Sequence, residues 1–483
     1  MSRRAFEPRE YQPMGIDHIK DHRRCALWAG MGLGKGVMTL TALSELELTE
    51  DVFPALALGP KRVARDVWPT ECDKWEHLSH LACVPVIGDP DERRRALRYD
   101  SPIYSINYEN LPWLVEHYGD AWPFKTVIAD ESTKLKSYRG SYRKHPKTGK
   151  IFLYGAGGSR AKALGTVAHE RVSRFIELTG TPSPNGLIDL WGQMWFLDKG
   201  ERLGRTFDSF KQRWFKSGFD GFSLEPLPNA EAEIAERVRD LCLTIDAKDY
   251  FDLHGPVVND IYVDLPPQAM KLYRDMEKNM FAELLSGHTV EAFGAAARTQ
   301  KALQLANGAV YVDPAVGTDK DPRSREWRAV HDVKMEALDS IVEEAGGAPM
   351  MVVYTFRSDL ARIMKAYPNI SVDLATTAGL KKFKSGQAAL GVCHADSLGH
   401  GVDGLQDVCM EITHFGHGWS LDTYEQVNER IGEVRQQQSG FSRVPTINHI
   451  FARGTLDEDV HERRRTKRTV QDTLKEAAKR RKV

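Results

Sequence analysis

The segment Trp28-Ala29-Gly30-Met31-Gly32-Leu33-Gly34-Lys35-Gly36 constrains this chain more than any other. Glycine at every second position lets the backbone turn sharply between a strand and a helix, with successive N–H groups pointing to one side. Downstream, Leu40, Leu43 and Leu46 recur at helical spacing within Val37 to Leu48. A strand, a glycine-rich turn and a helix in that order are the first unit of a parallel α/β sheet. The turn is shaped to hold phosphate oxygens on Gly30, Met31, Gly32, Leu33, Gly34 and Gly36, with the Lys35 ammonium as a point charge on the β and γ phosphates. One residue departs from the usual form of such loops. The position after the lysine normally carries Ser or Thr, whose hydroxyl ligates magnesium, and here it is Gly36. Thr39 lies a helical turn further on, out of reach of the same ion. Water can fill the vacant ligand position, so nucleotide binding survives even if hydrolysis slows.

The α/β texture occurs twice. Ala55–Gly59, Ile103–Ile106 and Thr126–Ala129 are short apolar runs of the kind found in strands buried on both faces. A second set follows at Met350–Tyr354, Leu390–Cys393, Glu411–Phe415 and Thr446–Ile450. Between them, from Trp195 to about Arg328, helix formers and aromatics dominate. The expected architecture is two RecA-like parallel-sheet lobes with a helical insertion between them. Lobe 1 would span residues 1–195, helical protrusions and a linker 196–330, and lobe 2 331–483 with a closing brace and a basic tail. The segment Ser137 to Gly158, rich in Gly, Lys and Tyr, interrupts the first pattern as either a plain surface loop or a DNA-contacting one.

Composition adds bounds. A chain of 483 residues with 41% hydrophobic residues can bury more than one core. The net charge of −1 hides an asymmetry: His461 to Val483 holds ten Lys/Arg against three Asp/Glu. A basic tail on an acidic body suits a polyanion partner or a solvated helix. No two of the six cysteines stand at Cys-x-x-Cys spacing, which excludes the usual zinc and disulfide frameworks. His414 and His417 have no carboxylate or thiol at metal spacing. No apolar run reaches the ~20 residues needed to span a bilayer, and the start lacks a signal-peptide pattern. A cytoplasmic protein is expected. Trp28, Trp68, Trp75 and Trp191 are expected to pack in the core in preference to stacking on bases.

The run Val127-Ile128-Ala129-Asp130-Glu131 is an apolar strand ending in two carboxylates, about 95 residues beyond Lys35. Ligands of open parallel sheets bind at such strand ends. Asp130 is placed to hold magnesium and Glu131 to polarise an attacking water.

With these residues in view, the order of motifs resembles the Swi/Snf-like branch of helicase superfamily two, a DEAD/DEAH-box-like group, and most closely its bacteriophage and prophage members. Glu10-Tyr11-Gln12 resembles the adenine-reading entry motif, which gives Gln12 the base contact. Met31-Gly32-Leu33-Gly34-Lys35 is similar to the family's phosphate loop. Gly59-Pro60-Lys61 with Val67-Trp68-Pro69 and Glu71 to Trp75 resembles motif Ia, Asp130-Glu131 motif II, and Leu178-Thr179-Gly180-Thr181-Pro182 motif III. Ser397 to Gln406 resembles motif V, Gln426-Val427-Asn428-Glu429-Arg430-Ile431-Gly432 motif VI, and Arg453 to Glu458 the closing brace. The likeness runs from Glu10 to about Lys475. It implies ATP and Mg2+ as cofactors, with Gln426 at the nucleotide and Arg430 as the first motif VI arginine. The second arginine normally lies three places on, where this chain has Glu433, so Arg435 takes that role.

The resemblance also implies a DNA partner, double-stranded or branched, gripped by its backbone without regard to sequence. Lys134, Lys136, Arg160, Lys162, Thr181, Ser397 and His400 are the candidate contacts, with Lys301 and the tail residues Arg463, Arg464 and Arg465 behind them. The resulting expectation is an ATP-dependent DNA translocase or helicase in phage replication or recombination. ATP would sit in a cleft with Lys35, Asp130 and Glu131 on one wall and Arg430 and Arg435 on the other. The rival is a nucleotide-gated DNA clamp that hydrolyses little because of Gly36, and a third reading is a true strand-separating helicase.

Overall fold

The computed structural model describes residues 3–144, 149, 151–154, 157–184, 186–217, 224–284, 299–312, 326–398 and 402–479. The chain divides into two compact units, Met1–Asp252 with Lys467–Val483 and Leu253–Thr466.

The first unit is built on a seven-stranded sheet of β1 (Arg24–Ala29), β2 (Ala55–Gly59), β3 (Cys83–Pro85), β4 (Ile103–Asn107), β5 (Thr126–Asp130), β6 (Arg174–Thr179) and β7 (Cys242–Ile245). Their spatial order is β7-β1-β6-β5-β2-β4-β3, parallel throughout. Every residue of β2, β4 and β6 is buried, as expected when helices cover both faces of a parallel sheet. The helix α1 (Gln12–Asp21) leads into β1, α2 (Lys35–Leu46) follows the glycine-rich turn, and α3 (Trp68–Lys74) follows β2. A fourth helix, α4 (Leu190–Asp198), is apolar on all sides and buried from Leu190 to Leu197. Trp28, Trp68 and Trp191 are packing residues, each 2% exposed or less.

The second unit carries a six-stranded parallel sheet of β8 (Val257–Val263), β9 (Met350–Tyr354), β10 (Ser371–Asp373), β11 (Leu390–His394), β12 (Glu411–His414) and β13 (Thr446–Ala452), ordered β8-β13-β12-β9-β11-β10. Around it lie α5 (Val333–Glu344), α6 (Arg357–Ala366), α7 (Leu421–Asn428), α8 (Glu433–Gln438) and α9 (Leu456–Lys479). Lys334 of α5 and Asp457 of α9 form a fully buried ion pair at 2.6 Å. Asn307 and the Phe415 carbonyl accept further hydrogen bonds from the same ammonium.

Two RecA-like parallel sheets are therefore present, as the double α/β pattern indicated. The stretch 196–330 supplies helices such as Phe207–Trp214, Ala230–Val238 and Pro267–Leu284, and also one strand to each sheet, β7 and β8. Between β5 and β6 the chain forms a two-stranded antiparallel ribbon, Ser141–Lys144 against Ile151–Tyr154, within the segment expected to be a loop. Among the described residues no helix is long and apolar enough to cross a membrane.

Candidate active site

The strand order sets three sequence-distant motifs side by side. β1, β6 and β5 are neighbours, and the turns leaving their C-terminal ends carry Gly30–Gly36, Gly180–Pro182 and Glu131–Thr133 respectively. The contact is close. A Cβ placed on Gly180 would stand 3.4 Å from the Ala29 carbonyl oxygen and 3.7 Å from the Met31 nitrogen. Motif III thus packs directly against the backbone of the phosphate loop.

Within that loop Gly32 and Gly34 adopt φ of 78° and 81°, the left-handed region that L side chains avoid. Gly34 is doubly constrained, because a Cβ there would fall 2.6 Å from the Gln12 Nε2. Gln12 is held from both ends: its Oε1 accepts from the Arg9 amide at 2.9 Å and its Nε2 donates to the Leu33 carbonyl at 3.4 Å. Lys35 opens α2 and donates to the Ala29 and Gly30 carbonyls at 2.8 and 3.2 Å, so its ammonium lies over the loop. Thr39 donates to the Lys35 carbonyl at 2.8 Å and is fully buried, which leaves it no part in metal binding. At Gly36 the nearest atom to an added Cβ is the Glu71 Cγ at 3.4 Å, an ordinary contact that a Thr would tolerate.

Asp130 closes β5. Burial raises its pKa above the usual carboxylate value, and the positive charge of Lys35 opposes that shift. The next residue is conformationally unusual. Glu131 has φ 58° and ψ 56°, and among the described residues Lys199 is the other non-glycine with positive φ. Holding glutamate there costs about 1–3 kcal/mol, and such strain gathers where function demands a fixed side-chain direction. These residues satisfy the donor set a magnesium nucleotide needs: loop amides, one ammonium and one carboxylate at a strand end. The hydroxyl ligand is missing at Gly36.

Sequence reasoning missed the brace behind this group. Gln193 of α4, fully buried, accepts from the Ser132 hydroxyl at 2.9 Å and donates to the Pro182 carbonyl at 2.8 Å and the Asp189 carbonyl at 3.0 Å. One carboxamide thus joins motif II to motif III. Beside it Gly192 lets α4 touch the motif II turn, since a Cβ would lie 2.6 Å from the Lys136 carbonyl oxygen. The all-round burial of a Gly-Gln pair in an aromatic helix was the available signal. Gln193→Leu would strand three buried polar groups. It is expected to lower unfolding free energy by about 2 kcal/mol or more, read from the urea midpoint.

In the second lobe Arg430 donates to the Val402 carbonyl at 2.9 Å and is 8% exposed, while Arg435 pairs with Asp403 at 2.5 Å. Motifs V and VI therefore meet through two arginines on adjacent residues of one turn. Gln426 departs from the expectation of a nucleotide contact: it is 1% exposed, and its amide donates to Asp422 one helical turn back.

The expected DNA contacts are scattered. Lys134 and Lys162 are exposed, whereas Lys136 pairs with Asp189 at 3.3 Å and Arg160 with Glu109 at 2.9 Å. Ser397 is half-buried in the short helix Ala395–Leu398, Lys301 is half-buried, and His400 lies outside the described residues. Two assignments need correcting. Thr181 is 3% exposed with its amide bonded to the Thr179 hydroxyl, so it shapes the turn after β6 and presents nothing to a duplex. Arg464 is 5% exposed and donates to His417 Nδ1 at 3.2 Å, because it shares the inward face of α9 with Asp457 and Val460. Its neighbours Arg463 and Arg465 are exposed.

Two parallel-sheet lobes are present, the first with a glycine-rich turn, an acidic strand end and the Gly180–Pro182 turn in mutual contact. The chain belongs to one family with a phage protein. It is 45% identical over 483 residues to protein p41 of Acyrthosiphon pisum secondary endosymbiont phage 1, covering 99% of this chain and all of p41. It is 22% identical over 472 residues to an ATP-dependent helicase of Mycoplasma genitalium, covering 94% of this chain and 40% of that larger protein. Among solved structures, the Sulfolobus solfataricus SWI2/SNF2 ATPase core in complex with dsDNA aligns at a TM-score of 0.42 with 21% identity, over 98% of this chain and 93% of that one. No family model matches the sequence.

Proposed function

We propose that this chain is an ATP-dependent translocase on double-stranded or branched DNA, serving phage replication or recombination. The observation that carries the reading is the packing of Gly180 onto the phosphate loop beside the strained Glu131, which links nucleotide state to motif III. The loop amides from Gly30 to Gly36 and the Lys35 ammonium bind the phosphates, and Gln12, buried and bonded to the Arg9 amide and the Leu33 carbonyl, steadies the loop from behind. Asp130 would hold magnesium, which would supply charge neutralisation at the phosphates, and position 36 would offer it no hydroxyl. Glu131 orients the attacking water. Arg430 and Arg435 supply positive charge to the γ-phosphate.

The DNA grip is electrostatic. From Ser132 to His169 the chain has no acidic residue and nine basic ones, and the antiparallel ribbon lies inside this stretch. Together with exposed Lys134 and Lys162, it forms a sequence-independent contact to phosphates. A chain acting as a translocase displaces the third strand of a triplex in an ATP-dependent reaction and leaves a blunt duplex paired. Unwinding of that blunt duplex would instead assign strand separation.

The clamp reading rests on Gly36 and is separable. The contact with Glu71 leaves room for a Cβ, so Gly36→Thr tests chemistry once its unfolding midpoint is found to match wild type. The motor reading expects turnover to change by less than about tenfold, since one metal ligand is being exchanged for water. A gain of several orders of magnitude in steady-state phosphate release would identify a clamp.

A further inference from the structure

Three side chains remote in sequence converge on the outer edge of the second sheet. Asp260 of the edge strand β8 and His449 of β13 are direct register partners. His461, in the second turn of α9, closes over them. The Asp260 Oδ1 lies 2.7 Å from His449 Nδ1, and the second oxygen, Oδ2, lies 3.9 Å from His461 Nε2. One ligand atom from each residue lies within 4.8 Å of the other two.

We propose that Asp260, His449 and His461 form a site for a divalent transition metal of the zinc class. A hydrogen bond explains the Asp260–His449 approach but not His461, whose distance to Oδ2 is beyond hydrogen-bonding range. Tetrahedral zinc with ligands at about 2.0–2.1 Å sets neighbouring donors about 3.3 Å apart. The shortest pair needs to widen by roughly half an ångström and the longest to close by about 1.5 Å, within reach of side-chain rotation. Two imidazoles and a carboxylate are the donor set zinc accepts, with water completing the shell on the side where Asp260 is exposed.

The surroundings fit a metal ligand. The Tyr424 hydroxyl lies 2.9 Å from His449 Nε2, the outer partner that fixes a ligating imidazole. With a metal on Nδ1, the single ring proton resides on Nε2 and is donated to Tyr424. Arg464 and Arg465 are the positive charges that oppose a cation here, and the Arg464 guanidinium is turned toward His417 Nδ1 and the Tyr424 ring. Such a site would fasten β8, which opens this unit, to β13 and α9. It is separate from any magnesium at Asp130, which belongs to the first lobe.

The test is titration of the chelator-treated full-length chain with Zn2+ by calorimetry and with Co2+ by visible absorption. One equivalent with a tetrahedral Co2+ spectrum and a raised unfolding temperature is expected. His461→Ala should weaken binding at least about 100-fold, and Tyr424→Phe by about tenfold, as loss of an outer partner does. Equal binding by wild type and His461→Ala, or no stoichiometric binding by a folded wild-type chain, would overturn the assignment.

Discussion

Glu131→Gln is expected to lower steady-state ATP turnover in the presence of duplex DNA by roughly 10²–10⁴-fold, the range typical of a lost general base. Nucleotide affinity should change little, because the loop amides and Lys35 are untouched. Gln keeps the shape of Glu and the same backbone preference, so the left-handed conformation at this position, with φ of 58°, is carried over unchanged. Only the carboxylate charge is lost. Binding of a fluorescent ATP analogue alongside phosphate release separates the two effects. A variant that binds and turns over like wild type would remove Glu131 from the chemistry and leave its strain without a use.

Arg435→Ala is expected to cut turnover by about 10³-fold or more, the effect of withdrawing an arginine finger. The structure holds the guanidinium by its pairing with the exposed Asp403 carboxylate. Arg435 is 15% exposed but Asp403 is 78% exposed, so removing the arginine strands no buried carboxylate and the folded chain should survive. Arg430 behaves differently. It is buried and donates to the Val402 carbonyl, so Arg430→Ala removes a structural bond as well as a charge. A kcat loss with an unchanged unfolding midpoint for Arg435→Ala, set against a combined loss for Arg430→Ala, is the expected signature. Near-normal turnover for Arg435→Ala would show that Arg435 is only the partner of Asp403.

What could be read from the sequence depended on how local the signal was. The apolar runs Ala55–Gly59, Thr126–Ala129 and Met350–Tyr354 became strands because burial on both faces leaves no polar alternation. The glycine-rich turn and the strand ending in Asp130-Glu131 were legible as local structure because each lies in consecutive residues. β8 was not, since this edge strand is largely exposed and its Val-Val-Asn-Asp-Ile-Tyr-Val sequence has no buried face to announce it. β7 is only four residues long. Gln193 and the Asp260–His449–His461 group are long-range constructions, the Asp and first His standing 189 positions apart. Arg464 was readable in principle: counting back along α9 by helical spacing reaches Val460 and Asp457, both fully buried. A run of three arginines obscured that face.

Nucleotide chemistry in the first lobe is expected to answer to DNA. The most direct test is ATP hydrolysis by the full-length chain, alone and with single-stranded, duplex and branched DNA, at a fixed low salt concentration. Stimulation by duplex or branched DNA, lost in Glu131→Gln and reduced as salt rises, is the predicted result. Phosphate release that stays at background with every form of DNA would contradict it.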